Sequence, residues 1–168
     1  SMWYLPNAQL QKYNTLTVLV KNPDNRAKKL TLGIKNGDSV YYVKPADGSD
    51  SYSLPMNSDF KCYAFDLSEI TDADGNAADK DILSSISDFE FIIKDLKDGT
   101  VFFDCIEFGF EAPDEAVRRI KTEEVVAKLG EFDLSAPNKD SLEALKSAAQ
   151  KARAEYDGFI SDFPEGYI

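Results

Sequence analysis

Two stretches near the N-terminus decide the fold: Thr15-Leu-Thr-Val-Leu-Val-Lys21 and, one turn later, Lys28-Lys-Leu-Thr-Leu-Gly-Ile-Lys35. In the first, Leu16, Val18 and Val20 fall on one side of an extended chain; in the second, Leu30, Leu32 and Ile34 do. Alternation with period two suits a strand with one buried face and does not gather onto one side of a helix. Between the two, Asn22-Pro23-Asp24-Asn25 reads as a turn, because Pro fixes φ while Asn and Asp tolerate left-handed backbone. Asn36-Gly37-Asp38 then introduces a third strand, Ser39 to Lys44, so the chain opens as a meander or Greek key.

Further strands follow at Tyr52 to Leu54, Asp59 to Leu67, Asp88 to Lys94 and Thr100 to Glu111, with a polar stretch from Thr71 to Lys80 and a helical turn around Ile82 to Ile86. Seven short strands separated by turns predict a mainly β fold, a β-sandwich rather than βαβ units. In the last strand Phe102, Ile106, Phe108 and Phe110 oppose Val101, Phe103 and Cys105, so both faces are apolar and the strand is expected at the centre of its sheet. The same alternation puts Asp104 on the face of Phe102, Ile106 and Phe108, where an uncompensated carboxylate is costly. A backbone N–H, a hydroxyl or a cation must then meet it.

The pattern turns helical near Ala112-Pro113. Pro113-Asp114-Glu115 suits a helix start, and Thr122-Glu123-Glu124 a second that Gly130 ends. Asp140-Ser-Leu-Glu143 fits a capping box for a final helix, whose apolar stripe runs Leu142, Leu145, Ala149, Ala152, Tyr156 and Phe159. The stripe packs either on the preceding helices or sheet, or on a further domain. The expected domains are therefore 3–111, the β part, and 112–168, a helical linker or partial helical repeat.

Composition narrows function. The 168 residues include no histidine, and 19 Lys+Arg against 30 Asp+Glu give a net charge of −11. Without histidine there is no Ser-His-Asp or Cys-His nucleophile and no imidazole metal ligand. The negative field and the lack of clustered basic residues argue against nucleic acid. Cys62 and Cys105 fit neither a C-x-x-C motif nor a disulfide-dense scaffold. No apolar run reaches membrane-spanning length, and no signal-peptide pattern opens the chain, so the chain as given is expected to be soluble. Ser1-Met2 reads as a cloning junction rather than a natural start, so the chain is expected to be a piece excised from something longer. Asp72-Ala-Asp74-Gly75-Asn76 evokes an EF-hand, yet Ala77 and Leu83 stand where that loop needs Gly and Glu, so it is read as a solvated loop. No pair of carboxylates stands out for glycoside hydrolysis, and no enzyme activity is expected.

Leu10-Gln-Lys-Tyr13-Asn-Thr-Leu16 leading into TVLVKN, followed by LTLGIKNGD, YAFDLSEI and TVFFDCIEF, resembles the galactose-binding-domain-like jelly rolls found among carbohydrate-binding modules of bacterial polysaccharide-degrading and surface proteins. The resemblance covers Leu10 to Glu111, and only Met2 to Ala8 precede it. Either Trp3-Tyr4-Leu5 makes a short first strand, or part of the sandwich is missing. KLGEFDLSAPNKDSLEALKSAAQKARAEYDGF is similar to the helical FIVAR repeats of Gram-positive extracellular proteins, through its Lys-Asp entry and its Ala152-Arg153-Ala-Glu-Tyr156-Asp157 stretch. Together the resemblances imply a jelly-roll β-sandwich with a C-terminal helical appendage, set among flanking domains of a secreted or cell-surface protein. They imply binding of a glycan or polysaccharide without catalysis, and no membrane insertion. They also imply a structural calcium ion, for which Asp104 and Glu107 match the acidic positions of the last strand and offer the hard oxygen ligands it takes.

Sugars are held by flat aromatic faces, with carboxylates and amides bonding their hydroxyls. The candidate carbohydrate-binding residues are Trp3, Tyr4, Tyr41, Tyr42 and Tyr52, with Asp38, Asp50 and Asn57 as polar neighbours. Alternation sends Tyr41 and Tyr42 to opposite faces, so at most one of them enters the core. The alternative to sugar binding is a structural or protein-interaction module, a spacer or docking domain on the same sandwich.

Overall fold

The computed structural model describes residues 2–4, 9–86, 88–95, 99–130, 143–144 and 146–154. It divides into two units, Ser1–Ala116 and Val117–Ile168. The first is mainly β. Its strands are β1 Met2–Tyr4, β2 Thr15–Lys21, β3 Lys28–Asn36, β4 Ser39–Pro45, β5 Tyr52–Leu54, β6 Lys61–Asp72, β7 Ala77–Ala78, β8 Asp88–Lys94 and β9 Phe102–Gly109. They form one nine-stranded antiparallel sheet in the order β1-β8-β3-β4-β6-β2-β9, with β5 beside β3 and β7 beside β6.

Alternation decides most of this. Leu16, Val18 and Val20 of β2 and Leu30, Leu32 and Ile34 of β3 are all buried, as are Val43, Tyr63, Phe65, Phe89 and Phe91 from their neighbours. Burying each such side chain contributes about 1.5–3 kcal/mol, so this one apolar face dominates the unit's stability. β3 and β4 join through Gly37-Asp38, with Asn36 opposite Ser39 and Gly37 at φ 58°, a left-handed position that glycine fills without strain. The sheet is not flat. Phe91 of β8 and Phe103 of β9 stack with centroids 5.0 Å apart, and Phe89 meets Phe108 edge-on at 6.0 Å. Since β8 and β9 lie near opposite ends of the pairing order, the sheet curls until both ends share one core.

Three elements depart from alternation. β6 runs on past Leu67 to Asp72, because its register against β4 slips between Val43 and Lys44 and lets Leu67 and Ile70 both turn inward. Asp66 holds that detour by accepting from Ser68 N at 2.8 Å and Ser68 Oγ at 2.6 Å. β9 is not central but terminal, pairing among the described residues with β2 alone, and much of it is exposed. Its pairing with β2 also slips: Leu19 faces Asp104 while Thr17 faces Glu107, so Cys105 and Ile106 together oppose Val18. This is a β-bulge, with Cys105 at φ 45° as the extra residue. The bulge reverses the alternation, so that Val101, Phe103, Ile106 and Phe108 pack on the core while Phe102, Asp104, Cys105 and Glu107 face out. The apolar surroundings expected for Asp104 do not exist.

The helix α1, Pro113–Gly130, begins in the first unit and continues into the second. Pro113 suits the first turn, and Glu115 Oε2 reaches back to accept from Ala112 N at 3.1 Å, half of a capping box. Instead of two helices meeting at Thr122, one helix passes through it. Arg119 and Glu123 pair one turn apart at 3.4 Å. Residues 143–144 and 146–154 are helical, with Ala149 exposed and Ala152 half-buried. Asp140, Leu142, Leu145, Tyr156 and Phe159 lie outside the described residues.

Candidate functional site

Adjacent strands align Glu90 of β8, Gly33 of β3, Tyr42 of β4 and Thr71 of β6 in one row on the outward face of the sheet. Tyr41, one residue earlier, packs on the core, so the tyrosine pair divides between the two faces. Tyr42 is half-buried. Gly33 leaves a low point in the row, over which its neighbours lean: a Cβ there would stand 3.0 Å from Ile92 Cδ1 and 3.3 Å from Glu90 Cγ. Glu90 Oε2 lies 3.8 Å from Lys35 Nζ. The face thus offers an aromatic ring with a hydroxyl, a carboxylate, an ammonium and the Thr71 hydroxyl around a glycine. These are the groups that stack on a sugar ring and bond its hydroxyls. Gly33, Lys35 and Glu90 escaped the reading of the sequence. They become visible only once pairing register places them beside Tyr42.

The other expected aromatics are spread apart. Tyr52 turns inward, its ring 5.0 Å from Tyr63 and 5.5 Å from Phe65, and its hydroxyl donates to Ala64 O at 2.6 Å. Burial, ahead of the Asp47 charge, pushes its phenol well above the ordinary range. Trp3 and Tyr4 lie in β1, the short first strand, opposite Phe89 and Asp88 of β8. Asp38 and Asp50 are exposed in loops, and Asn57 occupies a left-handed turn position, φ 50°, where its N–H donates to Asp24 O at 2.8 Å. In the loop that evoked an EF-hand, Asp72 accepts from Asp74 N and Asn76 N at 2.9 and 2.8 Å and from Asn76 Nδ2, closing the turn between β6 and β7. Those bonds from Asn76 hold its carboxyl below the ordinary carboxylate value.

Asp104 and Glu107 both point outward from β9, and Asp104 Oδ1 accepts from Cys105 N at 2.8 Å. Among the described residues no group of three or more Asp, Glu or Cys side chains gathers to hold a metal. Two outward carboxylates fall short of the six to eight oxygens that calcium takes. Cys62 and Cys105 lie on strands that flank β2, two strand spacings apart and out of disulfide reach of each other. The Asp104 charge, ahead of burial and Glu107, pushes the Cys105 thiol up and away from a reactive thiolate.

The most elaborate polar group in the sheet lies under the turn after β2. Asn22 is fully buried, and Nδ2 donates to Arg26 O at 2.8 Å, Pro55 O at 3.0 Å and Leu54 O at 3.2 Å. Lys28 is 2% exposed, and its ammonium meets Asn22 Oδ1 at 2.8 Å, Thr100 O at 3.1 Å and the Asp24 carboxylate. Asp24 also accepts from Thr100 N at 3.0 Å. The Lys28 hydrogen bond, ahead of Thr100 N–H, holds the Asp24 carboxyl below its ordinary value. Gly99 admits that carboxylate, since a Cβ there would collide with Asp24 Oδ2. One knot therefore ties together the loops after β2, β5 and β8. Its signal was present in the sequence, for Lys28 is in phase with Leu30, Leu32 and Ile34 and so demanded partners.

No family model, curated protein or solved structure matches this chain. What it can bind is read from its own side chains. Among the described residues, no helix is long and apolar enough to cross a membrane.

Proposed function

We propose that the strand-rich unit is a non-catalytic carbohydrate-binding module, a jelly-roll β-sandwich carried by a secreted or cell-surface protein. It holds a glycan on the outward face around Tyr42. The observation that carries this reading is the row Glu90–Gly33–Tyr42–Thr71 with Lys35 beside it: an outward, half-buried aromatic ring next to a carboxylate, an ammonium and a hydroxyl. The contact of β8 with β9 through Phe91 and Phe103 supports two facing layers. The helical residues that follow act as a connector to flanking domains. Calcium has no part in the proposed binding.

Electrophoresis of the folded chain through gels containing hydroxyethyl cellulose, xyloglucan or galactomannan tests this. The wild-type chain is expected to be retarded by at least one polymer and Tyr42→Ala to lose most of that retardation with an unchanged melting temperature. Migration of the wild-type chain unretarded in every gel would overturn the reading. The second reading, a spacer or docking module, is favoured by one observation: Phe110, just before α1, is 69% exposed although its ring lies 4.8 Å from that of Tyr13.

A further inference from the structure

The outward face of β6, β2 and β9 carries a second aromatic row. Phe102 of β9 sits directly opposite Lys21 of β2. Phe60, just before β6, takes the next position after the Val20–Lys61 pair, and Lys21 Nζ stands 5.8 Å from its ring centroid. Lys21 therefore lies between two phenylalanines, which are 43% and 49% exposed. Its ammonium also bonds Asp59 Oδ1 at 3.0 Å, and Asp59 is held in place by Phe60 N at 3.0 Å. One row further in, Leu19 is flanked by Cys62 and by the exposed Asp104.

Two half-exposed aromatic rings beside an ion pair offer apolar faces and polar groups together to a ligand. The surface is also rigid underneath. Asn22, the residue after Lys21, is the centre of the buried knot, and Ser58, next to Asp59, donates its N–H to Asn22 O at 2.9 Å. A backbone held in this way loses little entropy when a ligand binds above it.

Charge selects the occupant. Lys21 and Asp59 pair at 3.0 Å and neutralise each other, so the row between the two rings carries no net charge to draw a charged ligand. What remains is a neutral ligand that brings hydroxyl donors for the carboxylates and apolar faces for the rings. Phe60 and Phe102 are separated by two strand spacings, roughly 10 Å, which is wide enough for two adjoining sugar rings.

We propose that Phe60, Lys21, Phe102 and Asp59 form a second carbohydrate contact, taking a neutral polysaccharide over two adjacent sugar units. It extends the reading given for Tyr42 and uses none of the same residues.

The test is affinity electrophoresis of the whole chain in hydroxyethyl cellulose, xyloglucan and galactomannan, with polygalacturonate and chitosan as charged probes. Phe60→Ala and Phe102→Ala are each expected to weaken retardation by roughly three- to tenfold, the loss of one stacked ring. Phe110→Ala, which lies outside the row, is expected to change nothing. Both rings are half exposed, so melting temperatures confirm that the variants fold. If both phenylalanine variants bind as wild type while Tyr42→Ala does not, the second contact is wrong and the Tyr42 face stands. If the phenylalanine variants lose binding while Tyr42→Ala keeps it, the second contact stands and the Tyr42 face is wrong. Stronger retardation by polygalacturonate or chitosan than by any neutral polymer overturns the assignment of a neutral ligand.

Discussion

The turn after β2 and the bulge in β9 each hold an aspartate, and the two lie in opposite surroundings. Asp24 sits in a Pro-Asp turn, yet its carboxylate reaches inward to a lysine that is almost wholly buried. Asp104 sits in a strand rich in phenylalanine, yet its carboxylate faces out from the edge of the sheet. The difference comes from backbone geometry. A short turn can fold a side chain back under the sheet, and Gly99 leaves the room for it. A single left-handed residue, Cys105, shifts every later side chain of β9 to the other face.

The comparison breaks most visibly at Lys28. Lys28→Ala leaves Asn22 Oδ1, Thr100 O and the Asp24 carboxylate without their common donor. Removal of one partner from a buried pair typically costs on the order of 3–5 kcal/mol, and the partial exposure of Asp24 places this variant near the lower end. Urea unfolding is expected to show a loss of about 3 kcal/mol. A loss within experimental error would mean that the knot does not hold the loops.

Acid sharpens the same contrast. The Asp24 carboxyl is held below its ordinary value, so its stabilising contribution is complete above the unfolded pKa of about 3.9 and disappears as pH falls through the lower, folded value. Melting temperature is therefore expected to fall more steeply on the acid side of about pH 4 in the wild-type chain than in Lys28→Ala. Parallel acid limbs for the two proteins would contradict the pairing.

The bulge is expected to give the smallest effects. Left-handed backbone disfavours a residue with a Cβ by roughly 1–2 kcal/mol, and glycine's own entropy cost offsets part of that, so Cys105→Gly is expected to stabilise by about 0.5 kcal/mol. Asp104→Ala, on an exposed edge, is expected to move stability by no more than about 0.5 kcal/mol. A loss of several kcal/mol at Asp104 would restore the buried setting that alternation suggested.

Alternation in TLTVLVK and KKLTLGIK made the β class and the inner faces of β2 and β3 legible, because period two survives in strands without irregularities. It misled where an irregularity intervened: at Cys105, and in β6 beyond Leu67, where a register slip let Leu67 and Ile70 share a face. The rule applied to Asp104, that a charge in phase with core residues needs a partner, held instead for Lys28. At the outward face, Tyr42 was visible as one of two adjacent tyrosines. Its neighbours Gly33, Lys35 and Glu90 come from separate strands, and only their pairing brings them together. The row Phe60–Lys21–Phe102 was hidden for the same reason, and because Phe102 was read as core.

Amide chemical-shift mapping during titration with a retarding neutral polysaccharide tests the functional reading most directly. The expected result is a saturating set of shifts centred on Gly33, Lys35, Tyr42, Thr71 and Glu90. Saturable binding that leaves all of these amides unmoved would contradict the assignment of that face.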